Sequence, residues 1–79
     1  MRLDTDFIFP DKDYPEFLHL HNLIILKSEV ESVQDSSGAG PGGQITVYSK
    51  GGHEYNFDVN ERASVQFIIR HILDLIKSK

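Results

Sequence analysis

The hydrophobic period of the chain changes once, near residues 58–61, and that change limits the fold more than any other feature. Before it, Tyr55, Phe57 and Val59 alternate with Glu54, Asn56 and Asp58, the period of two of a half-buried strand. After it, Val65, Ile68, Ile69, Ile72, Leu73, Leu75 and Ile76 recur at helical spacing. At about 100° per residue they fall in one stripe roughly 160° wide. Arg70 and Asp74 lie opposite at i, i+4, and Lys77 and Lys79 suit the negative end of the helix dipole. Asp58 or Asn60 is a capping candidate, and Asp58-x-x-Glu61 has the spacing of a capping box. The spacing predicts an amphipathic C-terminal helix whose apolar side needs a sheet to cover it.

Strand patterns upstream supply that sheet. Ile45, Val47 and Ser49 alternate with Thr46, Tyr48 and Lys50, and Gly51-Gly52 then predicts a type I′ or II′ hairpin turn into Glu54–Val59. Further back, Leu18 and Leu20 oppose Phe17, His19 and His21, and Asn22 is a turn residue. Leu23-Ile24-Ile25-Leu26 is apolar on both faces, the pattern of a short central strand covered on each side. A corner at Ser28-Glu29-Val30 leads to a strand over about Glu31 to Gln34. The stretch 35–43 holds four glycines and reads as a long, flexible connection. Residues 1–16 place five acids and two prolines around Phe7-Ile8-Phe9, an acidic extended arm ahead of a single domain over 17–79. The expected fold is α+β: a small antiparallel sheet of four to five strands with the C-terminal helix packed on one face.

Size and charge narrow the classes of function. A chain of 79 residues has room for one core layer, and without cysteine its stability comes from packing or from a partner. Its net charge is −4, and no Lys/Arg cluster exists beyond the pair Lys77 and Lys79. Phosphate backbones and anionic membrane surfaces are bound by clustered cations, so nucleic acid and membrane partners are not expected. The start of the chain carries acids where a signal peptide would be apolar, and no run approaches the length of a spanning helix. Cytoplasmic location is the expectation.

Few motifs carry chemistry. His19-x-His21 sets two imidazoles on one strand face about 6.5–7 Å apart, a distance a metal bridges, and His53 could add a ligand. The same residues also read as a solvated polar face. Gly38–Gly43 lacks the Lys-Ser/Thr and the helix of a phosphate loop, and Asp11-Lys12-Asp13 lacks the glycine and distal glutamate of a calcium loop. No serine stands in a nucleophile elbow. The expectation is a chain without catalytic residues or cofactor. One residue breaks its local pattern: Phe67 lies about 160° from the centre of the helical stripe, flanked by Arg70, His71 and Asp74. Such a ring is either covered by Phe7–Phe9 of the same chain or covered by another chain. Phe67, Arg70, His71, Phe7 and Phe9 are therefore the candidate partner contacts.

Across Phe17 to Lys77 the order of features resembles the short flagellar proteins of the FlbD type and similar small phage-borne bacterial proteins. The matching stretches are His21-Asn22-Leu23, Ile24-Ile25-Leu26-Lys27-Ser28-Glu29-Val30-Glu31-Ser32-Val33, Ile45-Thr46-Val47-Tyr48-Ser49-Lys50-Gly51-Gly52, and Ser64-Val65 onward. The acidic arm and the glycine insertion depart from that pattern. The resemblance implies a small accessory protein that works through contacts, with no catalytic residue to carry over. Two functions follow from the sequence: a protein-interaction module binding another protein or itself, and a metal- or small-ligand-binding protein using the His19/His21 face. For the fold itself, Ile69→Asp should leave no folded population by circular dichroism. An unpaired charge in so small a core costs several kcal/mol against a total of roughly 5 kcal/mol.

Overall fold

The structure is a computed structural model that describes residues 2–77. Six strands and one α-helix follow in chain order: β1 (Ile8–Pro10), β2 (Phe17–Leu20), β3 (Leu23–Leu26), β4 (Val30–Asp35), β5 (Gly43–Ser49), β6 (Glu54–Val59) and α1 (Val65–Lys77). The class is α+β, with antiparallel pairing and a C-terminal helix. The strands do not form one sheet of four or five, however. They form two sheets of three, ordered β1-β2-β3 and β4-β5-β6. The break lies at the corner expected around residue 28. A 3-10 turn over Lys27–Glu29 and a register shift between Val30 and Ser32 rotate the chain out of the first ladder, so β4 pairs with β5 alone.

Each element buries one face, and the faces meet in one core. The first sheet contributes Ile8, Leu18, Leu20 and Ile25; the second contributes Ile45, Val47, Phe57 and Val59. From α1 come Val65, Ile68, Ile69 and Ile72, while Leu75 and Ile76 are half-buried. Leu73, at the margin of the stripe, is exposed. The helix packs across β4 and β5 and reaches β1. Full burial of a side chain of this size contributes about 1.5–3 kcal/mol, so each element depends on the others for most of its stability.

The N-terminal segment also enters this core, through Leu3 and Ile8. Leu3 and Ile8 are each only 2% exposed. Leu3 donates its N–H to the Asp58 carbonyl (2.6 Å), and β1 pairs with β2 through Ile8–Leu20, Phe9–His19 and Pro10–Leu18. An isolated leucine among acids gives no periodicity to read, which hides Leu3 from the sequence pattern. Leu23–Leu26 also differs from its reading as a central strand. It is the last strand of its sheet, and Ile24 is 55% exposed.

The turns are built differently from their sequence signals. The β5–β6 hairpin is a three-residue loop in which Gly52 donates to Ser49 (3.1 Å) and alone adopts a positive φ of 87°. A type I′ turn would need positive φ at Gly51 as well; here a single left-handed glycine follows an i→i+3 turn. The helix is entered through a 3-10 turn over Arg62–Ser64, with Glu61 at its cap and no side-chain cap bond. Asp58 does not cap it, because it stays in β6 opposite Gln44. Of the two lysines assigned to the C-terminal dipole, Lys77 closes α1 and Lys79 lies outside the described residues.

The glycine-rich connection is tied at both ends. Ser36 bonds the Gln44 carbonyl (2.9 Å) and the Thr46 hydroxyl (2.8 Å), the Ser37 hydroxyl accepts from Gln44 N–H (3.0 Å), and Arg62 N–H reaches the Pro41 carbonyl (3.4 Å). Gly43 is not loop at all. It starts β5, is buried, and lets the helix entry close on the sheet, because a Cβ there would run into Val65 Cγ2 and meet Arg62 Cα at 3.4 Å. Gly43→Ala should cost about 1–3 kcal/mol in chemical denaturation, the range for overpacking a filled core. Gly40→Ala, with open space around the added methyl, should stay within about 0.5 kcal/mol of the parent. Equal effects at the two positions would overturn the assignment of Gly43.

Candidate functional site

The first sheet and its β2–β3 turn gather four of the residues singled out by sequence, Phe7, Phe9, His19 and His21. Strand pairing sets Phe9 opposite His19 and His19 opposite Ile24, so these three form a row across the sheet. The Phe9 and His19 rings stack at 4.7 Å with an angle of 12° between planes. Phe7 sits one step along, tilted against His21 at 5.1 Å. Phe7 and Phe9 are both nearly half exposed.

His19 and His21 do not form the paired strand face their spacing suggested. β2 ends at Leu20, and His21 is the first residue of a two-residue turn with φ of 60°. That is the left-handed region, which costs a bulky residue about 1–3 kcal/mol and is usually given to glycine in such a turn. The conformation is held by the His21 N–H bond to the Phe7 carbonyl (2.9 Å) and by the ring contact with Phe7. His21 Nδ1 is buried with no hydrogen-bond partner. His19 Nε2 lies 2.7 Å from Asp11 Oδ2, so its ring is already engaged by a carboxylate. His53 is at the far hairpin, 6.4 Å from the Tyr55 ring. Among the described residues no three His, Cys, Asp or Glu side chains converge as a metal site.

Asp11 organises the link between β1 and β2. Its Oδ1 accepts the N–H groups of Asp13 (3.0 Å) and Tyr14 (2.9 Å), while Oδ2 faces His19. These bonds hold the carboxyl below its ordinary value, His19 first and the Tyr14 and Asp13 amides after it. Asp35 is lowered in the same direction, by the hydroxyl and the N–H of Ser37. The Asp11–His19 pair was missed from sequence because the two are eight positions apart, joined only once β1 folds back on β2.

The helix carries the second group of candidates. Phe67 is 66% exposed, the most exposed of the large apolar side chains described, so neither Phe7 nor Phe9 covers it within the chain. His71, one turn later on the same flank, is half-buried and meets the Ile8 carbonyl at 3.4 Å. Arg70 is exposed beside it. The sheet face and the helix flank therefore border one another at β1, through His71 and Ile8.

Surface concavities are open and small. One of them, largely apolar, is a cleft of about 400 Å³ between the β2–β3 turn and β6, lined by Asn22, Leu23, Glu54, Tyr55, Asn56 and Phe57. Apart from Glu54 its lining holds no titratable group but the Tyr55 phenol. No helix among the described residues is long and apolar enough to cross a membrane. Comparison with known families, curated proteins and solved structures finds no match to this chain.

The Asp11 bonds predict a pH dependence with a definite sign. A carboxyl whose folded value lies below its unfolded one stabilises fully above about pH 3.9 and loses that contribution as pH falls through the folded value. Asp11→Ala should therefore lower Tm at pH 6, and the gap to the parent should narrow below about pH 4. A gap that stays constant between pH 7 and pH 3 would show that the ionised carboxylate does not carry the effect.

Proposed function

We propose that this protein is a small, non-enzymatic interaction module of the cytoplasm, working through contact with protein rather than with nucleic acid, membrane or metal. The observation that supports it is the placement of large apolar side chains. Phe9 and Ile24 on the first sheet, and Phe7 just ahead of β1, stand 46–55% exposed, and Phe67 stands 66% exposed on the helix. A phenyl or sec-butyl group left in water forgoes part of the roughly 1.5–3 kcal/mol available from burial. Clusters of this kind on small domains mark contact surfaces, where one or two aromatic anchors dominate the energy. Arg70 and His71 supply a polar rim around Phe67. The resemblance to FlbD-type proteins implies the same kind of work.

The metal-binding alternative draws no comparable support. Asp11 holds His19, and His21 has left the strand. Phe67→Ser and Phe9→Ser test the proposal. Phe67→Ser should change folding stability by less than about 0.5 kcal/mol, as expected for an exposed position. Association, read by sedimentation or by recovery of a defined complex, should weaken at least about tenfold for one of the two variants. Two folded variants that associate as the parent does would remove the basis of this reading.

A further inference from the structure

We infer that β3 is a pairing edge for a second copy of this chain: two molecules join antiparallel through Leu23–Leu26 about a two-fold axis at Ile25, merging their first sheets into one of six strands. This rests on the interaction reading above and names its partner. The backbone carries the argument. A two-residue turn makes Leu20–Leu23 the first hydrogen-bonded pair of the β2–β3 hairpin, so Leu18–Ile25 is the next and the pairs His19–Ile24 and Phe17–Leu26 are not bonded to each other. The flanking bonds fit this alternation: the Phe17 carbonyl and the His21 N–H both turn toward β1, accepting from Asp11 and donating to Phe7 at 2.9 Å. On the other side, Lys27 N–H bonds the Glu16 carbonyl at 2.8 Å. Ile24 and Leu26 thus aim their N–H and C=O groups away from β2, and no further strand pairs with β3 among the described residues.

Every other edge is protected, and this one is not. β1 ends in Pro10 and lies against the helix flank at His71. β4 has a register shift at Val30/Ser32 and carries Glu31. β6 is met by Arg2 and Leu3 at Asp58 and bears Glu54. β3 has no charge, no proline and no bulge across Leu23–Leu26, and those are the devices that keep edges from pairing.

The register follows from which groups are free. Setting Ile24 against Leu26 of the second copy gives each Leu26 N–H the Ile24 carbonyl of the other chain, while the Leu26 carbonyl serves the 3-10 turn over Lys27–Glu29 that Leu26 caps. Pairing Ile24 with Ile24 sets Leu26 against Asn22 in the hairpin turn, and pairing Leu26 with Leu26 sets Ile24 against Ser28 in the 3-10 turn, so neither makes as long a ladder. The favoured register also continues the outer-face row Phe9–His19–Ile24 onto the second copy's Leu26. It brings Leu23 of one chain opposite Lys27 of the other, so the pairing spans the whole of Leu23–Leu26 on both.

Proline at position 26 separates pairing from folding. Leu26 already has φ of −63°, the value proline requires, and its N–H is unused in the single chain. By sedimentation equilibrium the parent should have twice the 9.0 kDa chain mass, and Leu26→Pro should fall to 9.0 kDa with its circular dichroism unchanged. If proline perturbs the fold, Ile24→Lys, at an exposed position, should give the same loss of mass. In a mixed labelled dimer, filtered NOEs should link Ile24 methyls to Leu26 methyls of the other chain. A parent that stays monomeric at millimolar concentration, a dimer that persists in the folded variants, or a dimer without those NOEs overturns the inference. A dimer that survives Leu26→Pro but splits in Phe67→Ser would refute edge pairing while upholding the broader interaction reading.

Discussion

The structure depends on one apolar core shared by three surfaces that cannot bury themselves alone. Leu18 and Leu20 of the first sheet, Ile45 and Val47 of the second, and Val65 and Ile72 of the helix are all fully buried. A three-stranded sheet has one apolar face and the helix one apolar stripe, so none of the three is stable without the other two. The point where they close most tightly is Gly43, where strand β5 begins against Val65. That contact requires a residue with no side chain. It explains why a glycine-rich stretch ends inside a buried strand rather than in a loop.

Elements with strong periodicity were legible in the sequence, and elements fixed by distant packing were not. The helical stripe, the alternation of β5 and β6, and the corner near residue 28 all appear where the hydrophobic pattern placed them. Leu3 and Gly43 have no pattern; their burial follows from what reaches them across the fold. The capping signal at Asp58 failed because β6 pairing with Gln44 retained that residue in the strand. The division into two sheets was hidden for a similar reason, since a register shift at Val30/Ser32 leaves no mark on composition. Among candidate contacts, the exposure of Phe67 follows directly from its angle on the helix, whereas the Asp11–His19 bond needed the fold-back of β1.

The strained histidine belongs to the same economy of a small domain. His21 occupies a left-handed turn position without glycine's freedom, and its backbone and ring both bind Phe7. Glycine would relieve the backbone but lose the ring contact that anchors the end of β1. The turn therefore serves to tie the N-terminal segment to the sheet, with Asp11 performing the matching task at the other end of β1. Between these two ties, Phe9 is held outward in a fixed orientation against His19. A preordered aromatic loses little side-chain freedom on contact, so its ordering suits it to an interface.

One tension in the chain resolves through the same surface. Leu23–Leu26 is apolar on both faces, a pattern that belongs to the middle of a sheet, yet it stands at an edge with Ile24 half exposed. A sequence selected only for a solitary edge strand would place a charge, a proline or a bulge there, as β1 does with Pro10, β4 with its shift at Val30/Ser32 and β6 with Glu54. In a six-stranded sheet formed by two copies, the two β3 strands become the central pair. Pattern and position then agree, and the outer-face row beginning at Phe9 no longer ends at water but passes from one chain to the next.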